Sequence, residues 1–457
     1  MQTIAIAQQQ ADFFKAGNTL PYSFRIAQLK ALHTCIQKYE AAILQALHTD
    51  LGKSAEEAYA SEVGFTLAEL STTIQQLKNW MKPTRVATNL LNLPGSSKTY
   101  PHPLGVVLII APWNYPFQLA FAPLIGAIAG GNCAVVKPSE LAPATAQIVE
   151  TIIQELYPPQ FVAAIQGIGQ EVLPPLITGF AFNHIFFTGS TQVGKSIYQL
   201  AAQHLTPVTL ELGGKSPAII EPDANLALAA RKIAFGKWLN AGQTCVAPDY
   251  VLVPSTLQDE LVAQLQQAAQ QFFGKEALQN KAYPRIISPQ RFKILEGYLT
   301  QGTVAWGGKT NEATLQIEPT VLLNPSWDSA IMQQEIFGPI LPIITYSTQE
   351  QAYEMVQKNP NPLSLYLFTN SSATEQWWLQ HASFGGGCIN NTLLHLSNHH
   401  LPFGGVGSSG VGAYHGKHSF ITFTHQKAVL KTPTWFDPSF KYPPFTGKMK
   451  LYKLFMK

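Results

Sequence analysis

The sequence predicts an α/β protein built on parallel sheets that helices cover on both faces. Short runs that are apolar almost throughout, such as Val106–Ile110 and His184–Thr188, alternate with segments whose apolar residues recur every three or four positions. Such strands are typical of parallel sheets buried between two layers of helices. The chain has 457 residues, 46% of them hydrophobic, so we expect two or three domains.

The first hundred residues or so predict helices followed by an extended arm. Residues 27–47 and 61–80 carry apolar side chains at helical intervals, and Pro83 closes this region. Residues 86–100 contain short extended pieces around Leu93-Pro94-Gly95, which indicates a hairpin or an arm.

Two series of alternating strands and helices follow from residue 104. The first series has predicted strands at 106–110, 134–137, 161–166 and 184–188, with helices at 119–129, 142–156 and 192–204. The second series begins after Gly213-Gly214, with predicted strands at 216–220, 250–253, 341–346 and 364–369 and helices at 226–240 and 257–273. A β-prone run at 420–430 precedes an aromatic, proline-containing tail.

Composition excludes several classes of function. The net charge of +3, from 30 Lys and Arg against 27 Asp and Glu, does not suggest a nucleic-acid partner. The 12 His residues form no HExxH motif or Cys/His ladder, so we expect no metal site. The four cysteines are widely spaced without a CxxC, and the first residues lack a basic leader region. We therefore expect a cytoplasmic protein that does not depend on disulfides.

The most apolar stretch, residues 119–136, predicts a buried helix followed by a buried strand. Pro123 and the pair Gly130-Gly131 interrupt it. The uninterrupted part is shorter than the ~20 residues that a membrane-spanning helix needs.

Two segments are candidates for binding a dinucleotide. Gly189 and Ser190 follow a predicted strand and open a helix that contains Val193, so main-chain N–H groups there could hold a pyrophosphate. The spacing matches neither GxGxxG nor a Walker motif, and a glycine turn before a helix is common. Lys137 and Glu140 lie at the end of another strand of the same sheet and could bind ribose hydroxyls, although alone they fit a solvated strand end better.

Three residues together suggest covalent chemistry on an aldehyde. Cys245 lies in a polar loop, Glu211 interrupts an apolar strand, and Asn114 lies between two prolines. Singly they could be an inert thiol, a structural acceptor and a turn residue. Together they supply a nucleophile, a base whose pKa burial would raise, and an oxyanion donor, the groups needed to oxidise an aldehyde through a thioester.

The chain resembles the aldehyde dehydrogenase superfamily, and in particular its class 3 branch. The resemblance runs from near the N-terminus to about residue 430, and six ordered blocks carry it: 111–116, 187–195, 210–217, 242–250, 335–339 and 401–407. Pro248-Asp249-Tyr250 and Tyr414-His415-Gly416 point to class 3.

The resemblance implies a role for each site residue. Cys245 would be the nucleophile, Asn114 and the Cys245 main-chain N–H would form the oxyanion hole, and Glu211 would activate the hydrolytic water. The cofactor NAD, or alternatively NADP, would be held by the following residues: Lys137 and Glu140 at the adenosine ribose, Gly189, Ser190 and Val193 at the pyrophosphate, Glu335 at the nicotinamide ribose, and Phe337 near the nicotinamide. Glu140 favours NAD because a carboxylate repels a 2′-phosphate, although class 3 members with this Glu can accept both cofactors.

The resemblance also implies the architecture: a Rossmann-type NAD(P)-binding domain (1–83 and 104–210), an α/β catalytic domain (211–395), a small β oligomerisation arm (84–103 and 396–430) and a tail (431–457). We expect a homodimer bridged by the arm. The basic and apolar tail could touch an anionic membrane weakly or cover the substrate entrance, but packing on the domain or on the partner subunit is the preferred interpretation.

The predicted substrate is a medium- or long-chain aliphatic or an aromatic aldehyde, because Tyr115 and Phe403 are candidate residues of the substrate mouth and no Arg clamp is evident. One alternative is a coenzyme A-acylating dehydrogenase, in which Glu211 would have no clear use. A second alternative is a non-catalytic relative, which the intact Asn114, Glu211 and Cys245 set disfavours.

Overall fold

The computed structural model describes residues 2–456, which form seventeen α-helices and eighteen strands. The helices are α1 (Gln2–Lys15), α2 (Tyr22–Lys38), α3 (Glu40–Leu51), α4 (Ala55–Ala58), α5 (Gly64–Trp80), α6 (Gln118–Gly130), α7 (Pro143–Leu156), α8 (Gly169–Gly179), α9 (Thr191–Ala202), α10 (Leu226–Trp238), α11 (Gln258–Phe273), α12 (Pro289–Tyr298), α13 (Ala330–Gln333), α14 (Gln349–Gln357), α15 (Ser372–His381), α16 (Lys417–Thr422) and α17 (Met449–Phe455). The strands are β1 (Thr84–Val86), β2 (Ser96–Pro103), β3 (Val106–Ile110), β4 (Cys133–Lys137), β5 (Val162–Ala164), β6 (His184–Thr188), β7 (Val208–Glu211), β8 (Pro217–Ile220), β9 (Tyr250–Pro254), β10 (Thr303–Trp306), β11 (Thr310–Asn311), β12 (Gln316–Ile317), β13 (Thr320–Leu323), β14 (Ile340–Tyr346), β15 (Ser364–Phe368), β16 (Gly386–Ile389), β17 (Gly410–Val411) and β18 (Thr424–Lys431).

The first large sheet has the strand order β17-β7-β6-β3-β4-β5, and only β17 runs antiparallel to its neighbour. The chain moves from β3 to β4 and β5 on one side and returns to β6 and β7 on the other. The strand order therefore reverses beside β3, which is where open α/β sheets bind ligands. Ile110 pairs with Lys137 and Thr188 pairs with Glu211, so the carboxyl ends of these strands lie along one edge.

The second large sheet has the order β10-β13-β14-β9-β8-β15-β16, with β10 antiparallel and the other strands parallel. Apolar clusters lie on both of its faces: one contains Trp378 and Phe292, and the other contains Trp238 and Tyr366. The loop that joins α10 to β9 carries Cys245. The α/β class with parallel sheets buried between helices is confirmed.

A three-stranded sheet, β1-β2-β18, forms the arm. Strands β2 and β18 pair over their full length, from Ser96 opposite Lys431 to Pro103 opposite Thr424. Most of β18 is exposed. The predicted hairpin or arm in this region is confirmed.

Three predicted elements differ in the structure. The single helix predicted at 27–47 is two helices, because the chain leaves helical geometry at Tyr39. The helix predicted at 226–240 ends at Trp238, because Asn240 and Ala241 take positive φ. The strand predicted at 420–430 begins only at Thr424, since the residues before it form α16 and pack against α6.

Residues 410–411 lie in a place that the sequence did not predict. They form β17 and extend the first large sheet beside β7, rather than joining the arm. The stretch 119–136 is a buried helix, α6, followed by the buried strand β4, as predicted. Within residues 2–456, no helix has the length and apolar character required to cross a bilayer.

Candidate active site

A cleft of about 310 Å³ opens at the carboxyl edge of the first sheet and reaches the second sheet. Its walls come from the loop after β3, the turn after β6, the nucleophile loop and the segment before β14. The lining residues are Pro112, Trp113, Asn114, Thr188, Gly189, Ser190, Leu212, Cys245, Arg291, Glu335 and Phe337. The structure therefore brings Asn114, Cys245 and four of the predicted cofactor residues into one cleft.

The nucleophile loop has an unusual backbone before Cys245. Asn240, Ala241 and Gly242 follow one another with φ values of 52°, 50° and 75°. A side chain at Gly242 would collide with the main chain of Gly338, so only glycine fits there. Strained residues of this kind persist where the surrounding structure fixes them, and they cluster at active sites.

Gln243 provides part of that fixation. Its side-chain nitrogen donates to the carbonyls of Asn240 and Arg285 at 3.1 and 3.0 Å, and its oxygen accepts from the Ile287 N–H at 3.0 Å. The next residue, Thr244, shares a 2.6 Å hydrogen bond with the Tyr115 hydroxyl. The two residues before Cys245 are thus fixed by hydrogen bonds to other parts of the protein.

The Cys245 thiol is enclosed by protein but keeps accessible surface within the site. Burial raises the pKa of Cys245 well above its ordinary value, and the nearby carboxylates of Glu335 and Glu211 raise it further. Hydrogen bonds from the main-chain N–H groups of Cys245 and Val246 lower the pKa of the thiol. The thiol therefore rests protonated at neutral pH, and its reaction requires a proton acceptor or a nearby positive charge.

Asn114 is buried in the loop after β3, next to the nucleophile loop. Its side-chain nitrogen donates to the Gln243 carbonyl at 3.1 Å, and its own carbonyl accepts from the Asn240 side chain at 2.9 Å. The carbonyl also accepts from the Lys53 ammonium at 3.2 Å. This network joins the two loops that would meet a reacting aldehyde.

A buried ion pair, not identified from the sequence, supports the Asn114 loop. Lys53 lies 2.6 Å from Glu62, and both side chains are fully buried. The second oxygen of Glu62 accepts from the main-chain N–H groups of Phe117 and Gln118 at 2.9 and 3.2 Å. Lys53 lies between α3 and α4 and Glu62 lies in the helical turn before α5, and neither position carries a sequence pattern that indicates burial.

Glu211 ends β7, and both of its carboxyl oxygens are buried without a protein hydrogen-bond partner. Burial raises the pKa of Glu211 well above its ordinary value. A carboxylate whose pKa is raised by burial is a stronger base than an exposed one. The structure therefore gives Glu211 the environment that a general base requires.

Glu211 lies in a second cavity, of about 380 Å³, that also reaches Cys245. Thr188 and Cys245 line both this cavity and the first cleft. The walls of the second cavity are mostly apolar and include Phe65, Tyr115, Leu119, Phe235, Leu239, Leu393, Leu396, Phe403 and Tyr414. The predicted substrate-mouth residues Tyr115 and Phe403 are both among them.

The turn after β6 leaves the start of α9 open. Ser190 caps the helix, since its hydroxyl accepts from the Val193 N–H at 3.4 Å, and both residues are exposed. A side chain at Gly189 would meet the Phe187 ring at 2.6 Å, so a residue without a Cβ fits best there. An open helix start of this kind can receive a phosphate group.

Lys137 and Glu140 form an ion pair at the end of β4. Glu140 also accepts from the Gly169 N–H at 2.9 Å. Burial raises the pKa of Glu140, but the hydrogen bonds from Lys137 and Gly169 outweigh this and hold the pKa below its ordinary value. Neither residue lines the cleft around Cys245, so the pair would meet a part of the cofactor remote from the reacting carbon.

Glu335 and Phe337 lie on the opposite wall, across from the first sheet. The Glu335 carboxylate rests against Gly213, where any Cβ would approach it within 2.3 Å. Burial, together with the neighbouring Asp249, raises the pKa of Glu335 to about 8. The Phe337 ring meets the Trp113 ring edge-on at 5.2 Å, which gives the cleft an apolar end.

These features fit a dinucleotide: an open helix start, a carboxylate cradled on a glycine, and an apolar end next to the thiol. Arg291, which no sequence motif indicates, also lines the cleft and donates to the Glu335 and Ile336 carbonyls. Within the part of the chain that the structure describes, no three His, Cys, Asp or Glu side chains are grouped to hold a metal ion.

Comparison with known proteins gives a consistent match over nearly the whole chain. The model of the "Aldehyde dehydrogenase family" matches residues 2–429. A 4,4'-diaponeurosporen-aldehyde dehydrogenase of Staphylococcus aureus is 48% identical over 447 residues, which cover 97% of each protein. An "Aldehyde dehydrogenase, dimeric NADP-preferring" of Canis lupus familiaris is 41% identical over 97% of this chain and 98% of its own. A solved structure, the substrate-bound state of Staphylococcus aureus AldH, superposes with a TM-score of 0.96 at 46% identity, covering 99% of both chains.

Proposed function

Because this chain belongs to the aldehyde dehydrogenase family, we propose that it oxidises a medium- or long-chain aliphatic or an aromatic aldehyde to the carboxylic acid, with NAD as the preferred cofactor. The position of Cys245 carries the proposal. The thiol lies where the cleft that fits a dinucleotide meets the apolar cavity that contains Glu211. A substrate and a cofactor can therefore reach the same sulfur from different sides.

The first step that we propose is attack of Cys245 on the aldehyde carbon. The thiol gives its proton to the Glu211 carboxylate, which releases it to solvent before the hydrolysis step. The bond between sulfur and carbon forms, and the π electron pair of the carbonyl moves to its oxygen, which becomes an oxyanion. The Asn114 amide and the Cys245 main-chain N–H are its donors in this proposal. One such donor typically stabilises the transition state by ~3 kcal/mol.

Conversion of this adduct to the thioester removes a hydride from the former aldehyde carbon. Bound NAD supplies the hydride acceptor for this step. Glu335 and Phe337 would hold the nicotinamide end, Gly189, Ser190 and Val193 the pyrophosphate, and Lys137 and Glu140 the adenosine ribose. NADP is the alternative cofactor, and the dog relative that is named NADP-preferring supports testing both.

Hydrolysis of the thioester is the step that we assign to Glu211. The carboxylate takes a proton from water, the hydroxide oxygen bonds to the acyl carbon, and the Cys245 thiolate leaves. The buried oxygens of Glu211 support this role, because no protein group forms a hydrogen bond with them and both can therefore accept a hydrogen bond from water. Because Glu211 in this role activates water, it also favours hydrolysis of the thioester over transfer of the acyl group to coenzyme A.

The apolar lining of the second cavity supports the proposed substrate class. The named substrate of the Staphylococcus aureus relative, 4,4'-diaponeurosporen-aldehyde, supports including that compound in a substrate panel. Aliphatic aldehydes of graded length and aromatic aldehydes complete the panel, each assayed with NAD and with NADP.

We also propose a cytoplasmic homodimer. The four cysteines, all unpaired, support a reducing compartment. Strand β18 at the edge of the arm and strand β16 at the edge of the second sheet are unpaired on one side among the described residues, which supports pairing between subunits.

Weak membrane contact through the tail stays a prediction. Leu454 and Met456 are exposed there, whereas Phe455 stacks on Phe440.

Pre-steady-state kinetics test the proposed chemistry. We expect Cys245→Ser to abolish oxidation and Glu211→Gln to retain a burst of reduced cofactor while turnover slows. Loss of burst and turnover together in Glu211→Gln would show that Glu211 is not mainly the deacylation base. Stimulation of turnover by coenzyme A, or no cofactor reduction with any aldehyde of the panel, would contradict the proposed reaction.

A further inference from the structure

His415 is a buried imidazole in the wall of the apolar cavity. Its exposed fraction is 2%, and neither ring nitrogen has a hydrogen-bond partner in the protein. The Leu396 carbonyl raises the pKa of His415, but its contact with the ring falls short of hydrogen-bond geometry. Buried polar groups are normally paired, and each unpaired group costs stability.

The structure holds this ring in place from several sides. Its face stacks on Phe403 at 5.1 Å, and Phe65 contacts it at 5.5 Å. The backbone of His415 has a φ of 80°, and its N–H donates to the Ser419 hydroxyl at 2.9 Å. A left-handed backbone conformation and a side chain without hydrogen bonds both lower the stability of the fold. A residue that combines the two indicates a functional role.

Glu69 is the carboxylate whose charge acts on His415, but it makes no hydrogen bond to the ring. One oxygen of Glu69 accepts from the Gly416 N–H at 2.7 Å, and the other lies 2.7 Å from Nδ1 of His399 without hydrogen-bond geometry. Since no described protein group meets the ring nitrogens of His415 with hydrogen-bond geometry, they are left for a group inside the cavity.

His415 lines the apolar cavity but not the cleft that Asn114, Glu335 and Phe337 line together with Cys245. Burial lowers the pKa of His415 to about 4, so the ring is neutral and carries one N–H donor and one acceptor nitrogen. Such a ring suits an uncharged oxygen group rather than a carboxylate.

We propose that His415 is a specificity-determining residue that hydrogen-bonds an uncharged oxygen, a hydroxyl or a carbonyl, carried by the aldehyde at a position remote from the reacting carbon. The proposal rests on the proposed function, since it assigns a second recognition point to the same cavity. The preferred substrate is then an apolar aldehyde with a second oxygen, rather than a plain hydrocarbon chain.

The experiment compares pairs of aldehydes of graded chain length, each as the unsubstituted alkanal and as the ω-hydroxy form. In the wild type, the ratio of kcat/KM for the hydroxylated over the plain aldehyde should reach about five- to tenfold at the chain length that places the oxygen at His415. In His415→Phe, which keeps a flat ring without nitrogens, this ratio should fall to near one. In His415→Gly, which suits the left-handed backbone, the ratio should also fall to near one.

His400→Phe is the matched control, because His400 is exposed and does not line the cavity. Its ratio should equal that of the wild type. A wild-type ratio near one at every chain length, or an unchanged ratio in both His415 variants, would overturn the proposal. The burst of reduced cofactor with plain alkanals separates the two hypotheses: a burst without discrimination refutes only the role of His415, whereas no burst with any aldehyde refutes the proposed function.

Discussion

Asn114 donates its side-chain amide to the main-chain carbonyl of Gln243 across 3.1 Å, two residues before Cys245. The amide nitrogen carries two hydrogens, and this bond uses one of them. The other is left for the cleft that Asn114 lines together with Cys245. The bond to Gln243 thus fixes the distance between the loop after β3 and the nucleophile loop, which are 129 residues apart in sequence.

Removing the Asn114 side chain should affect the chemical step. We expect Asn114→Ala to lower kcat about 100-fold or more, because one oxyanion donor is lost. Single-turnover measurements of cofactor reduction report this step directly. Asn18→Ala, at an exposed position, is the control and should leave the rate unchanged. An Asn114→Ala variant with a wild-type single-turnover rate would exclude Asn114 as an oxyanion donor.

The buried pair Lys53–Glu62 should contribute strongly to stability. Lys53→Met leaves the Glu62 carboxylate buried without its cation, which we expect to cost about 3–5 kcal/mol in the free energy of unfolding. Lys293→Met is the matched control, since the Lys293–Glu296 pair is solvent-exposed and exposed pairs contribute little to stability. Chemical denaturation of the two variants measures both values. Equal decreases in the free energy of unfolding of the two variants would show that the buried Lys53–Glu62 pair contributes no more to stability than the exposed pair.

The apolar pattern predicts the central strands of the first sheet correctly, for a physical reason. Strands β3 and β6 lie at the predicted residues, because a strand buried on both faces must be apolar at nearly every position. The parallel arrangement then placed the ends of these strands along one edge, next to the predicted site residues. The polar loop of Cys245 alone does not identify a nucleophile, and its occurrence together with Glu211 and Asn114 carries the prediction.

Other features depend on tertiary contacts that leave no local pattern. Lys53 and Glu62 resemble surface charges in sequence and become buried only when the loop after β3 closes over them. The positive φ values of Asn240 and Ala241 are imposed by the packing of the nucleophile loop, since neither residue is glycine. The first residues of the β-prone run predicted at 420–430 belong to a helix instead, because Phe420 in α16 and Phe423 just after it pack in the first core.

The raised pKa of Glu211 predicts a pH-dependent stability. The folded protein holds the Glu211 proton at pH values where the unfolded chain has released it, so the stability conferred by wild-type Glu211 falls as pH rises above the ordinary carboxyl range. Glu211→Gln removes this effect. The variant should gain stability relative to the wild type as pH rises, by up to ~1.4 kcal/mol per pH unit until the raised pKa is passed.

Thermal unfolding between acid and neutral pH provides the measurement. Glu350→Gln, at an exposed position, should show no such trend. A constant difference between Glu211→Gln and wild type across the pH range would mean that the carboxyl group is not kept protonated by burial.

The Glu140 carboxylate should influence cofactor choice. We expect Glu140→Gln to raise the ratio of kcat/KM with NADP over that with NAD by about tenfold, because the change removes a negative charge near the proposed ribose site and frees Lys137 to meet a phosphate. Glu171→Gln is the control, since Glu171 is exposed on the neighbouring helix α8. Steady-state kinetics with both cofactors give the ratio. A ratio unchanged by Glu140→Gln would place the adenosine ribose elsewhere.

The arm should be needed for dimer formation. Val429 and Leu430 are 45% and 46% exposed on β18, the strand whose outer edge is unpaired among the described residues. An exposed apolar edge strand is a favoured site for pairing with another chain, and β16 offers a second such edge. The double variant Val429→Lys/Leu430→Lys should therefore weaken the dimer by about 2–4 kcal/mol and yield monomers at low protein concentration.

Analytical ultracentrifugation over a concentration series measures this change, and circular dichroism verifies that the variant is folded. Val304→Lys is the matched control, because Val304 is 40% exposed on β10 at the opposite edge of the second sheet. It should sediment as the wild type does. Since Asn114, Glu211 and Cys245 all come from one chain, a folded monomer should still give a burst of reduced cofactor. A wild type that is monomeric at every concentration, or a double variant that dimerises as tightly as Val304→Lys, would show that the arm does not bridge subunits.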